Sequence, residues 1–254
     1  MAASSWLKIH QNSGRPNLRL FCFSYAGGSA LTFRRWSASL PKQVEVCPIE
    51  LPGRGSRMHE TAVTRMHELV PAIASGIAGA LDTPFALFGH SLGASIVFEL
   101  AGYLKAHFGK EPAHLFVSGH RPPHLPRMKP LLYNLPEAEF RAEVARLNGT
   151  PQEILDNADA MAMVMPILRA DFELIETYRH QGGPLLACPI RAFGGLQDPD
   201  VLKDDLSEWK RHTAGSFSLS MMPGDHFFIT QSEPQLLSVL ATDLEWITAR
   251  QYSL

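Results

Sequence analysis

Along the chain, short apolar runs alternate with longer stretches in which apolar positions recur every three or four residues. The first run, residues 18–25 (LRLFCFSY), is aromatic-rich and lies between polar residues and Ala-Gly-Gly, so it reads as a buried strand. Similar runs occur at 44–50 (VEVCPIE), 84–89 (PFALFG), 114–119 (HLFVSG), 189–194 (PIRAFG) and 216–222 (SFSLSMM). Helices are predicted at 32–40, 66–81, 92–108, 201–212 and 234–250, with Pro71 in the early turns of the second or kinking it. Strands of this length alternating with helices predict a mostly parallel sheet covered on both faces. The interval 120–187 breaks the rhythm, with helical patterning at 137–147, 153–156 and 159–178 and no convincing strand. An insertion between core strands is where a lid is expected, here at about 125–183. No repeat, low-complexity tract or linker intervenes, so residues 1–254 are expected to form one α/β domain.

Composition narrows the function classes. Charged residues make up 19% and hydrophobic residues 45%, enough apolar material for a sizeable core. The formal net charge of −2 gives no electrostatic support for nucleic-acid binding. No apolar run reaches membrane-spanning length, and residues 1–17 lack an apolar signal core, so a cytoplasmic protein is expected. Cys22, Cys47 and Cys188 fall in or beside predicted strands without CxxC spacing, which suits buried reduced thiols rather than disulfides or a metal site. Neither a metal nor a resident cofactor is expected, and a monomer is the default.

The sharpest motif is Gly89-His90-Ser91-Leu92-Gly93, a G-x-S-x-G between an apolar strand and a helix-competent run. Such a turn requires small flanking residues, lifts the serine hydroxyl above the sheet edge and sets a helix N-terminus beneath it. Ser91 is the candidate nucleophile; Ser24, Ser29 and Ser95 lack this setting.

A serine hydroxyl attacks only when an imidazole accepts its proton, and a carboxylate must fix that imidazole's tautomer. In folds using this turn, acid and base follow late strands in the order serine, acid, histidine. Among 11 histidines, His226 alone sits just after the last predicted strand. His90 precedes the nucleophile and is expected to point away from the hydroxyl's partner. His10, His59, His67, His107, His114, His180 and His212 fall in predicted helices or polar surroundings. Asp198, in Gly194-Gly-Leu-Gln-Asp198, is the preferred acid. Its neighbour Asp200 looks like an N-cap for a helix starting near Val201, and Asp225 adjoins the base too closely to reach its far nitrogen. The other position for an acid, after the strand ending at Gly119, holds His120-Arg-Pro-Pro123 instead. Oxyanion donors are expected from the backbone N–H of Leu92 and of Ala26, the latter in Tyr25-Ala-Gly-Gly28.

These residues carry a resemblance. The chain resembles the stand-alone type II thioesterases that accompany polyketide and nonribosomal peptide synthases, members of the α/β-hydrolase superfamily. The matching segments are Phe23-Ser-Tyr-Ala-Gly-Gly-Ser-Ala30, Leu51-Pro-Gly-Arg-Gly-Ser-Arg57, Gly89-His-Ser-Leu-Gly-Ala94, Leu168-Arg-Ala-Asp-Phe172, Gly194-Gly-Leu-Gln-Asp198 and Gly224-Asp-His-Phe-Phe228. Ser24 stands where many members have proline. The resemblance implies an α/β-hydrolase fold and a triad at Ser91, Asp198 and His226. It also implies hydrolysis of acyl groups from the phosphopantetheine arm of acyl or peptidyl carrier protein domains, supplied in trans. A medium-chain thioesterase of a fatty acid synthase, a carboxylesterase acting on free esters and a non-catalytic carrier-binding protein remain alternatives.

Two features leave both a functional and a plain reading open. Met161, Met163, Met165 and Phe172 lie on the inserted helical pattern, where flexible thioethers suit an adaptable acyl chamber or simply pack a helix. Arg121, Arg127 and Lys129 make a basic, Pro-rich exit from a strand, either docking an acidic carrier domain or forming a solvated linker.

Overall fold

The computed structural model describes residues 5–8 and 16–250, with the side chain of Arg250 left aside. The strands are β1 (Leu18–Phe23), β2 (Val44–Pro48), β3 (Phe85–His90), β4 (His114–Ser118), β5 (Ile190–Gly195) and β6 (Phe217–Met222). They form one sheet in the order β2-β1-β3-β4-β5-β6, with every pairing parallel. The longer helices are α1 (Met66–Ile77), α2 (Leu92–Phe108), α3 (Glu137–Arg146), α5 (Ala158–Thr177) and α8 (Glu233–Arg250); the short ones are α4 (Gln152–Leu155), α6 (Lys203–Ser207) and α7 (Phe228–Gln231).

The strands read as unbroken apolar runs because both faces of the sheet are covered. On one face Phe21, Leu87, Leu115 and Ala192 pack with the buried sides of α1 and α2. On the other, Leu20, Phe88, Phe116 and Phe193 meet Trp36, Leu236, Leu240 and Leu244. Cys22, Cys47 and Cys188 are free, buried thiols. Burial pushes the Cys22 and Cys47 thiols up and Cys188 to about 12, which makes them poor nucleophiles.

Two predicted helices differ. Instead of a helix at 32–40 there are two 3-10 turns, Ala30–Phe33 and Trp36–Ala38, which wedge Phe33 and Trp36 into the core. The 201–212 helix is shortened to α6 followed by a 3-10 turn, Glu208–His212. The interval 120–187 holds α3, α4 and α5 and no strand. Phe140, Val144, Leu155, Met161 and Leu168 give these helices a small core of their own. No described helix is long and apolar enough to cross a membrane. His10 lies outside the described residues.

Parallel strands bring all their carboxyl ends to one edge. The chain departs from β1 to one side for β2 and to the other for β3 onward, so the connections after β1 and β3 diverge. The crevice at such a switch point is where sheets of this kind bind ligands.

Candidate active site

Ser91 sits at that crevice, directly after β3, with φ 55° and ψ −117°. A residue other than glycine holds this conformation only when its surroundings force it. The forcing contacts are visible at the two flanking glycines. A Cβ on Gly89 would lie 2.1 Å from the carbonyl oxygen of Gly93, and one on Gly93 would lie 2.3 Å from that of Phe23. The Ser91 N–H donates to the Ser118 carbonyl at 2.7 Å, tying the turn to β4.

The loops after β5 and β6 meet this turn. His226 Nε2 lies 3.0 Å from Ser91 Oγ, and His226 Nδ1 lies 2.7 Å from Asp198 Oδ2. An ionised carboxylate only accepts, so Nδ1 carries the proton and Nε2 presents a lone pair to the Ser91 hydroxyl. The other Asp198 oxygen accepts from the N–H groups of Asp200 at 2.9 Å and Val201 at 3.2 Å. One buried carboxylate therefore orients the imidazole and closes its own loop.

Asp200 does not cap a helix. The N-cap of α6 is Leu202, and Asp200 pairs with Lys129. Asp225 accepts from the Phe227 N–H at 2.8 Å and serves the turn, not the imidazole.

His90 is a further departure from expectation. It reaches the residue that partners Ser91 Oγ, with Nε2 3.0 Å from the His226 carbonyl oxygen and Nδ1 2.8 Å from Ser118 Oγ. Since a carbonyl only accepts, His90 donates from Nε2 and receives the Ser118 hydroxyl proton at Nδ1. Burial holds its pKa well below the usual imidazole range, so it stays neutral. His120 fills the alternative acid position and is also kept neutral by burial, at about 4. His114 does not lie in polar surroundings: it is buried on β4, the strand expected at 114–119, stacked 4.3 Å from Phe116. Neither of its ring nitrogens has a hydrogen-bond partner among the described residues.

Above Ser91 and His226 opens a cavity of about 830 Å³. Ala26 and Leu92 border it beside the serine, and Leu132, Leu135, Val144, Leu147, Leu168 and Phe172 supply its apolar wall. Phe172 is thus where the chamber reading needs it. Met161 and Met165 are not: Met161 is buried within the small core of the inserted helices, Met165 packs against that core, and neither borders the cavity. A second cavity of about 850 Å³, walled by segments 119–129 and 199–205, shares His120, Arg127, Lys129, Ile175, Asp200 and His226 with the first.

Arg121, Arg127 and Lys129 are not free cations. Arg121 holds Asp205 at 2.8 Å, Arg127 pairs with Glu176, and Lys129 pairs with Asp200. The fold brings carboxylates from α5 and the 198–205 segment against this strip, so its charge is neutralised within the chain.

Arg54 and Asp171 stand out without having been singled out in the sequence. Arg54 Nη1 and Nη2 each lie 2.7 Å from an Asp171 oxygen, with both side chains buried. Their only sequence signal is that each lies in a segment shared with the type II thioesterases, Leu51–Arg57 and Leu168–Phe172.

Residues 18–244 match the family model described as Thioesterase domain. The chain belongs to the thioesterase domain family. It is 40% identical over 248 residues to linear gramicidin dehydrogenase LgrE of Brevibacillus parabrevis, covering 96% of this chain and 94% of that protein. Among solved structures, it is similar to the RedJ thioesterase from the prodiginine biosynthetic pathway in Streptomyces coelicolor. That match has 35% identity and a TM-score of 0.84, and covers 92% and 90% of the two chains. ClbQ from the colibactin NRPS/PKS pathway is similar at 32% identity and a TM-score of 0.87, over 91% and 98%. The fold of this thioesterase-family chain is accordingly that of the α/β-hydrolases.

Proposed function

We propose that this protein hydrolyses acyl thioesters carried on the phosphopantetheine arm of polyketide or nonribosomal peptide carrier domains, with Ser91 as nucleophile, His226 as base and Asp198 as its orienting acid. The observation that carries the reading is the hydrogen-bonded chain from Ser91 Oγ through His226 to Asp198, set at the floor of an apolar cavity. The natural-product pathways named for RedJ and ClbQ support the choice of partner.

In the first step Ser91 Oγ bonds to the thioester carbon and passes its proton to His226 Nε2. The backbone N–H groups of Leu92 and Ala26 receive the developing oxyanion. The C–S bond then breaks and His226 returns the proton to the departing thiol. Water repeats the sequence on the acyl-Ser91 ester and frees the acid. Only side chains and backbone act; the phosphopantetheine belongs to the substrate. The acyl chain occupies the cavity lined by Leu147 and Phe172, and the arm approaches along the second cavity that meets it at His226. Residues at about 125–183 form the lid of a single domain. Lys129 ties this segment to the body of the protein through Asp200, and Arg127, paired with Glu176, stands with it on the wall shared by the two cavities, where both can meet the arm or the carrier surface.

The dehydrogenase in LgrE's name is said of that protein. Here the turn after β1 lacks G-x-G-x-x-G and leads into a four-residue 3-10 turn, Ala30–Phe33, not the long helix whose N-terminus cradles a dinucleotide pyrophosphate.

Acyl-loaded carrier domains, acyl-pantetheine and simple esters of the same acids, assayed side by side, test the proposal. Carrier-bound thioesters should have the highest kcat/KM, and a serine-directed phosphonate should label Ser91. Ser91→Ala should abolish both turnover and labelling. Preference for free esters, or turnover surviving in Ser91→Ala, refutes it.

A further inference from the structure

The turn Tyr25-Ala-Gly-Gly28, which carries one proposed oxyanion donor, is not held by its own residues alone. Its internal bond runs from the Gly28 N–H to the Tyr25 carbonyl at 2.9 Å. Two further backbone groups are gripped from outside. The Gly27 N–H donates to Asp171 Oδ2 at 2.7 Å, and Arg54 Nη1 donates to the Gly28 carbonyl at 3.2 Å. Arg54 and Asp171 are in turn locked together by two parallel bonds. The four groups make one closed cluster, directly after the peptide of Ala26.

Asp171 belongs to α5, the last helix of the inserted segment, and α5 lies hard against the same turn. Gly27 has φ +76°, and a Cβ there would come within 2.6 Å of Leu168 Cδ2. Further along α5, Glu173 pairs with Arg65 at 2.6 Å. The helix is therefore anchored to the body of the protein, and α3 and α4 share a small core with it.

A buried ion pair is a poor device for stability, because losing hydration offsets most of the attraction. Arg54 Nε is buried without a hydrogen-bond partner among the described residues, which adds a cost. What a planar guanidinium fork provides instead is fixed geometry, which an ammonium cannot reproduce.

We propose that Arg54 and Asp171 are positioning residues that set the oxyanion-binding turn, so that catalysis requires α5 to be seated on the body of the protein. Opening of the lid is then confined to the segment that holds α3 and α4. The inference rests on Ser91 being the nucleophile.

Arg54→Gln, Asp171→Asn, the double variant and Arg54→Lys test it, with kcat and KM on one acyl-pantetheine and inhibition by the boronic acid of the same chain, which forms a tetrahedral adduct. The Gln and Asn variants should lose about 100-fold in kcat, the scale of an oxyanion donor, with KM nearly unchanged. Boronate affinity should fall in step with kcat/KM, and the double variant should be no worse than either single one. Leu240→Ala, in the core under α8, should lower the melting temperature while keeping kcat. If the Gln and Asn variants do not fold, Arg54→Lys carries the test: it keeps the charge but loses the fork, and its kcat should still fall with KM preserved. Retained kcat, a loss confined to KM, or an equal kcat loss in Leu240→Ala overturns the proposal. Turnover surviving in Ser91→Ala would instead refute the reading of the site itself.

Discussion

Replacing Asp198 by Asn isolates a single proton. Both oxygens of Asp198 are engaged on opposite sides: Oδ2 with His226 Nδ1, Oδ1 with the N–H groups of Asp200 and Val201. The amide of Asn has one acceptor and one donor face, so it satisfies one side only. If its oxygen stays on the two backbone N–H groups, its NH₂ meets His226 Nδ1. If it turns over, NH₂ faces two buried N–H donors, and each unmade bond costs roughly 1–3 kcal/mol. The first arrangement wins, because the second loses two bonds to restore one. An NH₂ donor at Nδ1 forces the ring proton onto Nε2, where it points at Ser91 Oγ and blocks proton transfer. Among serine hydrolases this wrong tautomer lowers kcat about 10⁴-fold, or roughly 5 kcal/mol of barrier. Thioester hydrolysis and melting should be measured together. Asp198→Asn should melt near the parent, since it keeps the loop bonds; Asp198→Ala should lose those bonds as well and melt lower. An Asn variant within tenfold of the parent rate, or as destabilised as the Ala variant, refutes the reasoning.

Two other outcomes follow from the packing and from burial. Leu147→Trp, at the cavity wall, should lower kcat/KM for the longest acyl chains by roughly tenfold and affect short chains least; Met165→Trp, half-buried against the lid core, should change stability by about 1 kcal/mol and leave the chain-length profile unaltered. The reverse pattern in a chain-length series would count against the assignment of the chamber. Burial lowers His114 from 6.5 to about 4, so the unfolded chain binds its proton first as pH falls. The stability it contributes is complete above 6.5 and lost progressively down to about 4, on the order of 3 kcal/mol in all. His114→Phe should flatten the fall of melting temperature across that window without removing it, because His90, His120 and His212 are lowered too. Parallel melting curves for the variant and the parent would refute it.

Much of the site was legible in the sequence because its signals are local. An apolar run followed by Gly-His-Ser-Leu-Gly codes for a strand and a tight turn within a few residues, and Asp198 and His226 lie on short connections leaving later strands. Elements whose form depends on packing were harder. The 32–40 segment has helical spacing, yet Phe33 and Trp36 bury in the core only through 3-10 turns. The methionines of α5 admit two readings for a related reason: helical periodicity identifies an apolar face but not whether that face lines a cavity or a neighbouring helix.

The sequence by itself determined the order of the strands and of the longer helices, the turn that carries Ser91 and which histidine and aspartate follow the late strands. These depend on local backbone chemistry and on chain order. Only the tertiary structure decided who meets whom. It put a carboxylate against each cation of the 121–129 strip, His90 behind the carbonyl of His226, and Arg54 against Asp171 across 117 residues of chain. Contacts between distant segments leave no periodicity and no spacing to read; they exist only once a parallel sheet has gathered its carboxyl-end loops at one edge.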